Sequence, residues 1–115
     1  MSQYDLFYLK RIHEAMDLVG TYLDHIDEGD FDRDLLIQDG MTRLLDFISE
    51  LSLSISSDLK GEYPDIPWGD LANLNNRTEV SGVDKDAAWE MAKGRLPELK
   101  EHIEAIIEDL ENESP

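Results

Sequence analysis

Apolar residues recur every three or four positions along most of the chain, the spacing of amphipathic α-helices. The first series spans residues 6–26 and the second spans residues 37–59. Their members are Leu6, Leu9, Ile12, Met16, Val19, Leu23 and Ile26, and then Ile37, Met41, Leu44, Leu45, Ile48, Leu51, Ile55 and Leu59. Gly29 predicts the end of the first helix and Gly61 the end of the second, with an acidic connector at residues 30–34 between them.

Prolines divide the second half of the chain into shorter predicted elements. Pro67 precedes residues 68–71, which suit the first turn of a short helix. Residues 73–82 are polar and irregular, Asp84 can cap a helix that begins at Lys85, and Pro97 kinks or restarts that helix. The last apolar series is Leu99, Ile103, Ile106, Ile107 and Leu110, and residues 111–115 are expected to fray. The sequence therefore predicts an all-α fold, an antiparallel up-down bundle of four to five helices forming one domain over residues 1–115.

Composition narrows the class of protein. The chain has 115 residues, 41% of them hydrophobic, which suffices for one modest core. It has no Cys, so disulfides, thiolate metal sites and Cys nucleophiles are excluded. No apolar run reaches the length of a membrane span, and residues 1–5 do not resemble a signal peptide. We therefore expect a cytoplasmic protein without membrane association.

The charge balance says more about the salt concentration in which the protein works than about its biochemical activity. Asp and Glu number 27 against 10 Lys and Arg, giving a formal net charge of −17. Self-repulsion of this size destabilises a compact state in dilute buffer, and salt screens it. The acidic surface is thus typical of a protein from the salt-rich cytoplasm of a halophile. The alternative is an acidic protein from a mesophile. The chain also lacks the basic surface usual in proteins that bind nucleic acid.

Few residues suggest metal or cofactor chemistry. The three histidines, His13, His25 and His102, include no pair at the i, i+4 spacing of a helical metal site. Asp30, Asp32 and Asp34 imitate a calcium loop, but its sixth and twelfth positions hold Leu35 and Met41 instead of Gly and Glu. The chain also has no Gly-rich phosphate loop and no Gly-x-Ser-x-Gly elbow. We expect no metal and no cofactor.

A specific resemblance begins at Glu62. Tyr63-Pro64-Asp65-Ile66-Pro67-Trp68, Leu74-Asn75-Asn76-Arg77, Gly82-Val83-Asp84, Ala88-Trp89 and Leu96-Pro97-Glu98-Leu99 follow in the order and spacing of the HepT-like family of HEPN domains. Gln38-Asp39 and Phe47-Ile48-Ser49-Glu50 stand where that family has its second-helix signature. The resemblance therefore covers nearly the whole chain.

The resemblance implies a small helical bundle that forms a homodimer. Active members of the family look like toxins encoded beside a minimal nucleotidyltransferase antitoxin, and they cut RNA without metal through an Arg-x4-His motif at the dimer cleft. In that motif, His suits general acid–base catalysis and Arg suits phosphate binding. A Tyr just after the His is the residue that the antitoxin modifies with AMP.

Here the motif is degenerate. Asn75 stands at the position of the family's Arg and Val80 at the position of its His, while Asn76 and Arg77 match the family. About two residues are missing before Gly82, and the modifiable Tyr is among what is lost. No His lies between residues 25 and 102, and no Tyr follows residue 63, so a shifted alignment does not restore the motif.

Three functions remain open from the sequence. The leading hypothesis is a catalytically inactive relative that acts as a dimeric binding partner, possible partners including a minimal nucleotidyltransferase antitoxin. The second is an RNase toxin with other catalytic residues, such as Arg77 with His13 or His102 brought together by dimerisation; only this hypothesis requires RNA. The third is an acidic decoy for a partner that binds nucleic acid. For the dimer, we expect the Ser-rich half of the second helix and residues 73–82 to form the contact between subunits.

Overall fold

The computed structural model describes residues 4–74 and 89–113 and shows an all-α fold there, as predicted. The α-helices are α1 (Asp5–His25), α2 (Glu28–Arg33), α3 (Leu35–Ser54), α4 (Ser57–Glu62), α5 (Trp68–Ala72) and α6 (Leu96–Glu113). A π-helical turn, Met91–Arg95, leads directly into α6. None of these helices is both long and apolar enough to cross a membrane.

α1 packs against both of the other long helices, and both run antiparallel to it. Asp5, at the start of α1, bonds to Ser56 beyond the end of α3, and Asp17 meets Lys100 near the start of α6. The core lies between the three helices; its fully buried larger side chains include Leu9, Ile12, Met41, Leu45, Ile48, Leu99, Ile103 and Ile106. The up-down bundle prediction is thus confirmed for the part of the chain that the structure describes.

The predicted acidic connector is wrong, because much of it is the helix α2. Asp27 begins α2 through a capping box: its carboxylate accepts the N–H of Asp30 at 2.8 Å, and the Asp30 carboxylate accepts the N–H of Asp27 at 3.3 Å. Gly29 consequently lies inside α2 and does not end α1, which stops at His25. The short helix places Phe31 in the core, and the Gln38 amide donates to the Phe31 carbonyl at 2.8 Å.

The second long helix is interrupted, whereas the sequence predicts a single helix to Gly61. α3 ends at Ser54, the backbone is extended at Ile55 and Ser56, and α4 follows. The Ser56 hydroxyl caps α4 by accepting the Leu59 N–H at 3.2 Å. The same hydroxyl donates to the buried carboxylate of Asp5 at 2.6 Å, and the Ser56 N–H donates to Asp5 at 2.9 Å. The interruption therefore joins the start of α1 to the end of α3.

Two serines of the second long helix lie inside the bundle. Ser49 and Ser52 are each 1% exposed, and the Ser52 hydroxyl donates to the Ser49 carbonyl at 2.8 Å. These two serines pack against their own chain, whereas Ser54 and Ser57 of the same serine-rich stretch are exposed, and the expected contact between subunits stays a prediction. The other part of that expected contact, residues 73–82, lies mostly outside the described residues.

The π-helical turn accommodates Pro97 at the start of α6. Proline has no N–H and cannot donate to the carbonyl four residues earlier. Just before it, the Leu96 N–H bonds to the carbonyl of Met91, five residues back, so the backbone widens without a break. α6 then continues to Glu113, three residues into the segment that was expected to fray.

Candidate functional site

The four sequence-predicted site residues, Asn75, Asn76, Arg77 and Val80, lie outside the described residues. The structure does describe the elements on both sides of them, which end at Leu74 and resume at Trp89. We call the described residues that hold these two ends the junction: Trp68, Asp70, Leu74, Phe31, Trp89, Lys93 and Arg95. The junction is the part of the bundle where the described chain stops at Leu74 and resumes at Trp89.

The first end of the junction is fixed by α5. Leu71 and Leu74 are fully buried, and the Asn73 side-chain amide donates to the Gly69 carbonyl at 2.7 Å. The Trp68 indole N–H donates to the carbonyl of Tyr63 at 3.0 Å, which holds the extended Pro-rich segment against α5. The family-like sequence at residues 63–68 therefore forms the support immediately before the motif.

The second end is fixed by aromatic packing on α2. The rings of Trp89 and Phe31 lie with centroids 5.4 Å apart, and Phe31 is fully buried. The Lys93 ammonium lies 5.9 Å from the centroid of the Trp89 ring, within cation–π range. The helix α2, which the sequence pattern did not predict, thus positions the residue where the described chain resumes.

An ion pair ties the two ends together. The Arg95 guanidinium contacts Asp70 of α5 at 2.6 Å and Glu98 of α6 at 3.2 Å. These side chains are about half exposed, so the pair contributes little stability on its own. Its consequence is geometric: α5 and the start of α6 are held side by side at the end of the bundle.

His13 lies away from the junction and is held by two carboxylates. Its Nε2 is 2.8 Å from Glu104 of α6, and its Nδ1 is 3.5 Å from Asp17 of α1. Asp17 also binds the Lys100 ammonium at 2.5 Å, and this bond raises the pKa of Lys100. With both ring nitrogens facing carboxylates, His13 serves as a link between α1 and α6.

The remaining histidines differ in position. His102 is exposed and lies 13 residues after Trp89, about 20 Å along the helix at 1.5 Å per residue. His25 is exposed and is the last residue of α1. Its neighbours Leu23 and Asp24 line a cleft of about 230 Å³ together with Ala92 and Lys93 of the π-helical turn. Antiparallel packing therefore puts His25 at the junction's end of the bundle, a placement that our sequence analysis missed although helix order alone implies it.

Acidic side chains dominate the surface, but they do not converge. Among residues 4–74 and 89–113, no group of three or more His, Asp or Glu side chains is arranged to hold a metal ion. The three aspartates that imitate a calcium loop belong to two different helices. Asp30 and Asp32 lie in α2 and Asp34 is the N-cap of α3, and the carboxylates of Asp30 and Asp34 accept backbone N–H groups. These carboxylates act as helix caps, which explains their spacing without a ligand.

Comparison with known proteins gives a consistent result. The family model described as "Ribonuclease HepT-like" matches residues 12–106. A Methanocaldococcus jannaschii protein with a provisional RNase name is 32% identical over 106 residues, covering 90% of this chain and 88% of the relative. A Thermococcus cleftensis protein named "Probable ribonuclease HepT" is 33% identical over 101 residues, covering 86% of this chain and 92% of the relative.

One relative is considerably longer. A second Methanocaldococcus jannaschii protein, named for gamma-glutamylcyclotransferase and a provisional RNase, is 31% identical over 106 residues. The match covers 90% of this chain but only 48% of that protein, so the chain spans about half of its length. No solved structure matches the chain significantly.

Proposed function

Because the chain belongs to the HepT-like ribonuclease family, we propose that it is a catalytically inactive member that acts as a dimeric binding partner in a toxin–antitoxin-type system. The observation that carries the proposal is the sequence of residues 75–80. Asn75 and Val80 occupy the positions at which the family resemblance places the catalytic Arg and His.

The missing groups are those that metal-free RNA cleavage needs. A base must take the proton of the 2′-hydroxyl, and a cation must stabilise charge on the phosphate. Val80 cannot transfer a proton, and Asn75 offers hydrogen bonds without charge. Loss of a general acid or base alone commonly costs about 10²–10⁴-fold in rate. Loss of the cation adds to that deficit.

Two of the three histidines, His13 and His102, do not replace the lost one within a single chain. His13 is engaged by carboxylates of α1 and α6, and His102 lies about 20 Å along the helix from Trp89. The described residues nevertheless form a packed bundle, and contacts hold both ends of the junction in place. A scaffold kept without its chemistry is consistent with a binding role, and a minimal nucleotidyltransferase antitoxin is the partner that we propose. The family's AMP-accepting Tyr is absent, so this partner would bind the chain without modifying it at that position.

An RNA cleavage assay tests the proposal. Purified protein is incubated with labelled single-stranded RNA in 2 M KCl and in 0.15 M KCl, with EDTA present, beside a heat-denatured sample. We expect no cleavage above that background and no toxicity on overexpression. The double variant Asn75→Arg/Val80→His should also stay inactive, because the deletion before Gly82 shifts the segment that follows. Cleavage by the wild-type chain would contradict the inactive assignment.

A second candidate, an RNase with rebuilt catalytic residues, is favoured by the position of His25. His25 is exposed at the junction's end of the bundle, and Arg77 is the single cation between residues 74 and 80. If cleavage is found, Arg77→Ala and His25→Ala should each abolish it. His102→Ala is the matched control, because it removes an exposed histidine far from the junction. Loss of activity in the first two variants alone would establish this candidate.

A further inference from the structure

A cleft of about 230 Å³ lies between α1 and the start of α6. We call it the α1–α6 cleft, and its apolar lining consists of Met16, Val19, Leu23, Ala92, Leu96 and Pro97. All of these side chains except that of Pro97 are at most 8% exposed, so they are fixed in the core. The α1–α6 cleft is therefore a preformed concave surface with an apolar floor, the general form of a small-molecule site.

Gly20 leaves space in the wall that α1 contributes to this cleft. A Cβ built on Gly20 would meet no atom within 4 Å, although the residue lies inside a helix of 21 residues. Glycine inside a helix is less favourable than any residue except proline. The described part of the chain therefore has room for a larger side chain here, and the open space is left at some expense to the stability of α1.

The opposite wall includes the π-helical turn Met91–Arg95, which contributes Ala92 and Lys93 to the cleft. Pro97, which this turn accommodates, also lines the cleft. A π-helical turn is rare, and single turns of this kind are frequently found at functional sites. Each wall of the α1–α6 cleft thus contains a local departure from a regular, fully packed helix.

The charged lining of the cleft is basic in a strongly acidic chain. It consists of Asp24, Lys93 and Lys100, two bases against one acid, whereas the whole chain has 10 bases against 27 acids. Lys100 is bound to Asp17. None of the ion pairs within residues 4–74 and 89–113 involves Lys93, whose ammonium lies 5.9 Å from the centroid of the Trp89 ring. An anionic ligand would consequently meet a net positive lining here, although most of the surface repels it.

We propose that the α1–α6 cleft binds a small carboxylic acid with an aromatic or branched apolar body, whose carboxylate pairs with Lys93. A cavity of about 150 Å³ holds benzene, so this cleft takes a body somewhat larger than one ring. Drug-sized ligands occupy roughly 300–1,000 Å³, which excludes a ligand of that size from lying wholly inside. The inference is independent of the proposed function, because the residues that form the cleft lie outside the degenerate motif.

Titration of the full chain with hydrocinnamate, followed by amide proton–nitrogen correlation NMR, tests the cleft. We expect saturable shifts of the amide signals of Gly20, Ala92 and Lys93. The neutral hydrocinnamamide and the cation phenylpropylammonium should bind about threefold more weakly or worse. The buffer contains the lowest KCl concentration that keeps the helical circular dichroism, because salt screens the attraction of Lys93. The absence of saturable shifts at these amides up to about 10 mM probe would overturn the proposal, and so would equal binding of the three compounds.

Two glycine variants give a matched comparison. Gly20→Leu fills the cleft and should weaken hydrocinnamate binding by about tenfold or more. Gly40→Leu is the control that should leave binding unchanged, because Gly40 lies in α3, has equal space for a Cβ and does not line the cleft. Leucine is a better helix former than glycine, so both variants should fold.

A third variant tests the charge. Lys93→Gln should weaken hydrocinnamate binding about threefold and leave hydrocinnamamide binding unchanged, because only the first probe pairs with the ammonium. This exposed substitution also replaces Gly20→Leu if the glycine variant loses its helical circular dichroism. Wild-type affinity for hydrocinnamate in either folded variant would overturn the proposal.

Discussion

The buried carboxylate of Asp5 offers a sharp test of how the helices are joined. It is 1% exposed and accepts two hydrogen bonds from Ser56, one from the backbone N–H at 2.9 Å and one from the hydroxyl at 2.6 Å. Hydrogen bonds to charged groups contribute about 1.5–3 kcal/mol each. Asp5→Ala removes both bonds and should lower the free energy of unfolding by about 3–4 kcal/mol. At roughly 4 °C per kcal/mol for a domain of this size, the melting temperature should fall by about 12–16 °C.

The variant Asp5→Asn keeps the shape of the side chain and removes its charge, so it measures how much the charge contributes to stability. The amide oxygen can still accept the Ser56 N–H, but the amide nitrogen cannot accept the Ser56 hydroxyl. We therefore expect about half the loss, roughly 1.5–2 kcal/mol. In the double variant Asp5→Ala/Ser56→Ala, the combined loss should be smaller than the sum of the single losses by about 1–2 kcal/mol, because the two residues share a bond.

The assay is urea unfolding followed by far-UV circular dichroism in 2 M KCl. Replacing any acid also reduces the net charge of the chain, and this reduction is itself stabilising. Glu101→Gln is the matched control, since it removes one exposed carboxylate of α6. The reasoning is refuted if Asp5→Ala unfolds within about 0.5 kcal/mol of that control, the usual range of a surface substitution.

Three further predictions follow from other features. The melting temperature should rise substantially from 0.05 to 2 M KCl because salt screens the repulsion among 27 acids, and an unchanged midpoint would contradict the halophile interpretation. Burial, with Asp109 close by, raises the pKa of Tyr63, so its neutral form is favoured in the folded state. The stability that this pKa difference contributes is fully present below about pH 10 and declines above it, because the Tyr of the unfolded chain ionises first. Tyr63→Phe should therefore reduce the loss in free energy of unfolding between pH 9 and pH 11, which urea unfolding at the two pH values would measure. Asp27→Ala removes the capping box of α2 and should cost about 0.5–2 kcal/mol in the same unfolding assay, whereas a cost near zero would show that α2 is held by Phe31 alone.

Periodicity predicts the three long helices well because their buried faces are long and regular. It fails where a short local interaction decides the structure. Ile48, Leu51, Ile55 and Leu59 keep helical spacing straight across the interruption at Ile55 and Ser56, so the apolar pattern contains no sign of it. The break depends on Asp5, which is 51 residues away in the sequence.

The acidic segment after α1 illustrates the opposite error. Gly29 alone predicts a helix end, but the structure is decided by Asp27 and Asp30, which have capping-box spacing with Asp in place of the usual Glu. The candidate site itself depended on resemblance more than on pattern. Asn75 and Val80 acquire meaning only from the motif that they replace, and helix order added His25, which pattern alone did not single out.

The π-helical turn allows a deletion of one residue to change the direction of the chain before α6. A turn closed by bonds five residues apart holds about one residue more than an α-helical turn. A single deletion within residues 91–95 would convert it to an ordinary turn and rotate Trp89 by about 100° around the axis of α6. Trp89, where the described chain resumes, would point in a new direction while the contacts of α1, α3 and α6 stay in register. Insertions and deletions of one codon can therefore change what this end of the bundle presents, at little expense to the fold.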